Sequence, residues 1–255
     1  MDTPTDPLAA PAEAAPAPLE ARQRWRLTFS RVPAAEGETP SGRDYIALWE
    51  AALADCGLPV AMTDAGRFKF ALAAPLPART SGRAELADLW LTERAPAWWV
   101  REGLERVLPA GHALVALEDV WPGAPALAGR VAAADYRVSL RGALDEGAIA
   151  AAADRLLAAD RLDRERAKGG GVKSYDLRPL LISIDTAVEA GEADAASEAG
   201  DERVVVRVRT RIHPELGSGR PEEVVAALAD ALGAPLEATE TIRERLVLTD
   251  DLEDG

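Results

Sequence analysis

Arginine and lysine recur at every second position in several runs of this sequence, and that spacing suits one kind of chemistry, the neutralisation of phosphate oxygens. Arg22, Arg24 and Arg26 alternate with Trp25, Leu27 and Phe29, and Arg67 and Lys69 with Phe68, Phe70 and Leu72. The second half repeats the pattern more strongly: Arg137 and Arg141 flank Val138 and Leu140. Arg207, Arg209 and Arg211 interleave with Val206, Val208 and Ile212, and Arg243 and Arg245 with Ile242 and Leu246. Arg164, Arg166 and Lys168 keep the same period, with Asp163 and Glu165 between them. Strand side chains point to opposite faces at period two, so most of these runs predict one cationic edge and one apolar edge. The apolar edge must find a core, and the cationic edge then faces water or a polyanion. The sharp reading is RNA: cations contact phosphates, and Arg planes stack on bases. The plain alternative is an open sheet face solvated by long charged side chains. No aromatic residue shares the cationic parity of these strands. The pattern therefore points to backbone contacts rather than to sequence readout.

Other residues offer less. Lys168-Gly169-Gly170-Gly171-Val172-Lys173 has the glycines and lysines of a phosphate-binding loop, but lacks the Lys-Ser/Thr ending of a nucleotide P-loop, so a hairpin-like linker is the simpler reading. Tyr175, Asp176 and Arg178 form the densest polar cluster. Asp176 and Arg178, two apart on an extended segment, share a face and form an ion pair that anchors the segment, hold a partner, or mark a reactive site. Arg178 and Lys173 complete the candidate RNA-binding set. His112 and His213 have no neighbours at metal-ligand spacing, so no metal site is expected, and His213-Pro214 reads as a turn. Trp98 and Trp99 point about 100° apart on a helix, which sends one into the core and the other out to a contact surface.

Composition limits the partners. The 255 residues suit one large domain or two smaller ones. A net charge of −14 argues against nucleic acid until its distribution is considered. The stretch to Glu20, the segment from Ala187 to Glu202 and the residues after Thr249 hold 14 of the 43 acids and none of the 29 bases. The remainder is balanced. A single cysteine, Cys56, excludes an internal disulfide framework and a Cys-ligated iron–sulfur cluster within one chain, and reads as a small buried hydrophobe. No signal peptide or membrane span is evident, so a cytoplasmic protein with no membrane partner and no cofactor is expected.

The elements that would position the cations follow one order twice. In the first half a strand near Trp25 to Ser30 precedes a helix from about Asp44 to Cys56, stopped by Gly57. Strands over about Arg67–Leu72 and Leu86–Thr92, a helix from Pro96 to Pro109 and a strand through Leu114 to Leu117 follow. In the second half the strands are Tyr136–Leu140, Leu162–Lys168, Val204–Ile212 and Ile242–Leu248. The helices are Ile149–Leu157 and Pro221–Leu232, with Pro221 and Gly233 at the terminal positions those residues favour. This predicts an α+β fold of two tandem ferredoxin-like (βαββαβ) units over residues 22–121 and 134–249, the second interrupted by an insertion at 169–202. A disordered acidic leader spans 1–21, a solvated loop Glu189–Asp201, and an acidic tail 250–255. Helices cover one face of each unit, leaving the cations on the other.

The stretches Trp25-Arg26-Leu27-Thr28-Phe29-Ser30, Asp55-Cys56-Gly57-Leu58-Pro59-Val60, Phe70-Ala71-Leu72-Ala73-Ala74-Pro75-Leu76-Pro77 and Tyr175-Asp176-Leu177-Arg178-Pro179-Leu180 resemble the bacterial radical-SAM-linked domain of unknown function. That family occurs alone or fused behind a radical SAM enzyme, and the resemblance spans most of residues 24 to 249. Two motifs differ. Where members carry Ser-His-Leu-Asp this chain has Ser41-Gly42-Arg43-Asp44, whose Ser41 and Asp44 suit a helix cap. Where they carry Gly-Phe-Asn-Pro-His-Pro it has Thr63-Asp64-Ala65-Gly66. No catalytic residue transfers. The resemblance implies a radical SAM enzyme as partner, and with the cationic strands it yields a non-catalytic accessory protein that binds tRNA or rRNA. The alternative is a protein-only adaptor of the same enzyme without RNA contact.

Overall fold

Apolar residues at alternate positions of one strand draw two helices onto the same side of a sheet. The computed structural model describes residues 20–33, 42–77, 79–141, 145–168, 171–190 and 202–253. Its first half runs β1 (Gln23–Arg31), α1 (Gly42–Ala54), β2 (Phe70–Leu72), β3 (Ser81–Leu91), α2 (Ala97–Glu105) and β4 (His112–Val120). The strands lie in the order β4-β1-β3-β2, every neighbour antiparallel. Trp25, Leu27 and Phe29 of β1 pack beneath Tyr45, Trp49 and Leu53 of α1 and Val100 and Leu104 of α2. Gly57, at φ +70°, ends the turn after α1 in a conformation that disfavours a side chain.

The second half runs β5 (Val131–Arg141), α3 (Glu146–Ala158), β6 (Asp163–Lys168), β7 (Gly171–Asp176), β8 (Leu181–Ala190), β9 (Glu202–His213), β10 (Gly217–Ser218), α4 (Pro221–Leu232), β11 (Glu237–Leu248) and α5 (Thr249–Glu253). Its strand order is β8-β9-β5-β11, again antiparallel, with the short β10 also on β9. Val138, Leu140, Val206 and Val208 meet Ile149, Leu156, Val224 and Leu228 of α3 and α4. The halves share one nine-stranded sheet because β11 pairs in parallel with β3 at Ile242↔Ser81 and Arg243↔Gly82. The protein is thus a mixed α/β fold with one large mixed sheet and, among the described residues, five α-helices.

Two sequence expectations fail here. The run Leu162–Lys168 is not a strand of the main sheet: β6 pairs only with β7, in a separate hairpin. Its residues alternate acid and base and give it no apolar edge to bury. The position beside β9 is taken by β8, from within the stretch expected to be an insertion, and its Leu181 and Ile184 enter the core. Glu189, expected in a solvated loop, lies in β8, while 191–201 fall outside the described residues, as do 1–19 of the expected leader. The acidic tail begins as helix α5, where Asp250 pairs with Arg130 at 2.6 Å.

Cations at alternate positions do not all reach water. Arg24 and Arg26, on the face of β1 away from the helices, are buried around Asp88 of β3, and Arg24 also donates to the carbonyls of Ala124 and Pro125 in the segment linking the halves. Arg243 is buried as well, on the helix side of the sheet, paired with Glu85 and donating to the carbonyls of Ala74 and Pro75.

Candidate functional site

On the second half the face of the sheet away from α3 and α4 carries a cross-strand array. Ser183 of β8, Arg209 of β9, Asp135 of β5 and Arg245 of β11 are register partners in one row, and Asp185, Arg207 and Arg137 form the next. Side chains at such positions lie within reach of each other. Asp135 accepts from Arg209 through both oxygens, at 2.7 and 3.0 Å, and from Arg245 at 2.8 Å. Glu189 joins Arg137 at 2.9 Å and Arg207 at 2.6 Å, and Arg137 also reaches Glu240 at 3.6 Å. Arg83, paired with Glu244 at 3.0 Å, closes the side nearest β3, and the cleft between these side chains has a volume of about 600 Å³.

Each carboxylate here holds its guanidiniums in a fixed plane, because a fork of N–H donors matches the two oxygens. Burial alone would push the Asp135 carboxyl up, but hydrogen bonds and charge from Arg209 and Arg245 outweigh it and hold the group below its ordinary 3.8. A carboxyl depressed on folding adds stability that is fully present above its unfolded pKa and is lost as pH falls through the folded one. Asp135→Asn is therefore expected to destabilise the protein at neutral pH, with the gap from the parent closing below about pH 4. Urea unfolding of both proteins from pH 3 to 7 checks this, and a gap independent of pH would refute it.

The other candidates scatter. Arg141 is exposed at the end of β5 and Lys173 on β7, while Arg211 is half-buried on β9; none has an acidic partner among the described residues. Arg164 and Arg166 belong to the hairpin and turn to α4, where Arg164 meets Asp230 and Arg166 meets Glu223 at 2.7 Å while lying over the Tyr175 ring. Burial beside Glu223 raises the Tyr175 hydroxyl to about 12. Lys168 ends β6 opposite Gly171, and Gly169 and Gly170 lie outside the described residues. Asp176 does not pair with Arg178 as expected. Its Oδ1 accepts from the backbone N–H groups of Leu162 and Arg178, at 2.8 and 3.0 Å, and the Arg178 guanidinium donates to the carbonyl of Leu181. These bonds fasten the hairpin to the sheet. Arg243 is a correction of a different kind: a buried, acid-paired group cannot meet a phosphate.

His213 accepts from the N–H groups of Glu215 and Leu216, so it shapes a turn, and Cys56 is buried. Among the described residues no three His, Cys, Asp or Glu side chains converge as metal ligands. Trp98 is the outward member of its pair and Trp99 packs on the core. What alternation of cations missed was the carboxylates. Asp135 shares the parity of Arg137 two residues on, a signal present in the sequence, whereas Glu189 was hidden in an acid-rich run.

The fold and its face define a mixed α/β protein with a sheet surface of matched arginines and carboxylates. The chain belongs to the family described as an uncharacterized protein conserved in bacteria (DUF2344), whose model matches residues 24–213. No curated protein matches. Among solved structures, a chain of the crystal structure of a Cbf5-Nop10-Gar1 complex is similar at 12% identity and a TM-score of 0.46, covering 87% of this chain and 48% of that one. A chain of the archaeal box H/ACA sRNP Nop10-Cbf5 complex is similar at 14% identity and a TM-score of 0.39, covering 86% and 47%. The chain spans about half the length of these solved chains. No helix among the described residues is long and apolar enough to cross a membrane.

Proposed function

We propose that this chain is a non-catalytic accessory protein that binds RNA on the arginine-carrying sheet face and works beside a radical SAM modification enzyme. The observation that carries the RNA reading is the cross-strand array: Arg207 and Arg245 keep more than half of their side-chain surface exposed while a carboxylate fixes their orientation. A guanidinium has five N–H donors, so one bound to a carboxylate still offers donors and a flat face. The enzyme partner rests on the motif resemblance, and a cytoplasmic setting on the sequence expectation of no signal peptide or membrane span. The orders β4-β1-β3-β2 and β11-β5-β9-β8, antiparallel throughout, support reading residues 22–121 and 134–249 as two tandem ferredoxin-like units.

Because the face is partly neutralised, binding is weak, salt-sensitive and indifferent to sequence. Contact with about four phosphates gives a log–log slope against salt of about −3 to −4. The test is fluorescence anisotropy with labelled tRNA and rRNA fragments across salt concentrations. Arg207→Glu combined with Arg211→Glu is expected to lower affinity at least about tenfold and to flatten the slope by about 2. No binding at low salt, or a double variant that binds as the parent does, refutes the RNA reading. A protein-only adaptor is the second reading, favoured by the exposed Trp98 and Trp121. It requires that Trp98→Glu and Trp121→Glu weaken capture of the enzyme while the arginine changes leave it intact.

A further inference from the structure

The helix side of the first half contains a guanidinium without a counter-ion among the described residues. Arg31, the last residue of β1, is 3% exposed, yet among the described residues it has no ion pair and no side-chain hydrogen bond. Its guanidinium lies 4.6 Å from the centre of the Tyr45 ring and lines a cavity of about 870 Å³. A neighbouring acid of the sheet is already committed: Glu85 curls over Gly82, the register partner of Arg31, but binds Arg243. Tyr45 adds no charge either. Its hydroxyl bonds the Nε2 of His112 at 2.8 Å, and His112 Nδ1 lies 3.1 Å from the carbonyls of Pro109 and Ala110. This arrangement fixes a neutral imidazole with its proton on Nδ1. Burial, the largest influence, together with the nearby Arg31 charge lowers the His112 pKa, in keeping with that form.

An isolated buried cation is costly, and proteins keep one where something negative meets it. The cavity walls are otherwise mainly apolar, with Ile46, Phe68, Phe70 and Leu72 among them. Its mouth is marked by the ion pair of Arg67 and Glu50 at 2.6 Å, Arg67 being mostly exposed. A carboxylate at the mouth disfavours a polyanion, and apolar walls suit a hydrocarbon or aromatic body. We infer that this cavity binds a small monoanionic molecule with an apolar body, its carboxylate held by Arg31 and its body between α1 and β2. The site is separate from the arginine face and does not depend on RNA binding.

The test uses the full chain with naphthalene-2-carboxylate and the uncharged naphthalene-2-carboxamide, titrated by calorimetry. The carboxylate is expected to bind at least about tenfold more tightly, as one charge-assisted bidentate contact provides. Arg31→Met should erase the preference and leave the Tm of the free protein unchanged or raised by about 2–4 °C, since a buried charge is lost. Leu72→Trp, which fills the cavity, should abolish binding of both probes. Equal binding of the two probes, binding of neither, retention in Leu72→Trp, or a sharp fall in Tm or failure to fold for Arg31→Met would each overturn the inference.

Discussion

Asp88→Asn is expected to lower the unfolding free energy by about 3–5 kcal/mol, a large part of the stability of a domain. Asp88 is fully buried and accepts from Arg24 Nε at 3.1 Å and from Arg26 Nε at 3.0 Å, with further bonds from the Nη2 atoms of both. One carboxylate thus compensates two buried guanidiniums, and the linking segment covers Arg24 with two carbonyls. Asparagine keeps the volume but leaves both cations without charge compensation, and an uncompensated buried charge costs more than the intact cluster contributes. Urea unfolding measures the loss. Glu244→Gln provides the control: its pair with Arg83 is open to solvent, where such contacts are worth up to about 1 kcal/mol. If Asp88→Asn and Glu244→Gln cost the same, burial does not raise the cost of uncompensated charge here and the cluster is not a structural centre.

The same cluster shows where sequence reading stops. Helix ends are local, and Gly57, Pro96, Pro221 and Gly233 sit at or beside helix ends as their backbone preferences require. Strand faces were legible wherever the apolar parity was strong, as in Trp25-Leu27-Phe29 and Val204-Val206-Val208. Burial of Arg24 was not, because the segment that covers it comes about 100 residues later and offers only backbone carbonyls. The exchange of β6 for β8 followed from reading charge alternation as a strand signal. A strand inside a sheet needs apolar residues to bury, and β8 had them beside an acid-rich run that concealed it. Arg243 and Arg245, two apart, end on opposite faces because the register with β5 slips between them, a shift that period-two counting cannot foresee. The arginine array was half legible: its cations follow a visible period, whereas each acid that fixes one reaches it from another strand.

Glu85→Gln is expected to cost about 3–5 kcal/mol as well, and for a reason that concerns how the halves are joined. The backbone pairing of β11 with β3 runs over two residue pairs, and one of them includes Arg243. Its guanidinium binds Glu85 on the far side of that junction and the carbonyls of Ala74 and Pro75 beyond it, so one side chain ties together β11, β3 and the loop after β2. Burial works against the Arg243 charge, but the carboxylate more than compensates and raises its pKa. Removing either partner strands the other. Removing both, as Glu85→Leu with Arg243→Met, replaces two buried charges by apolar groups of similar size and is expected to cost less than either single change. A double-mutant cycle in urea gives the coupling directly, and additive losses would mean that the two side chains act independently. The junction also sets the cleft of the arginine face, because Glu244 follows Arg243 in β11 and holds Arg83 from β3. The double variant therefore separates two roles of the charge: if it folds stably but binds RNA less well, Glu85 and Arg243 are retained for the geometry of that cleft rather than for stability.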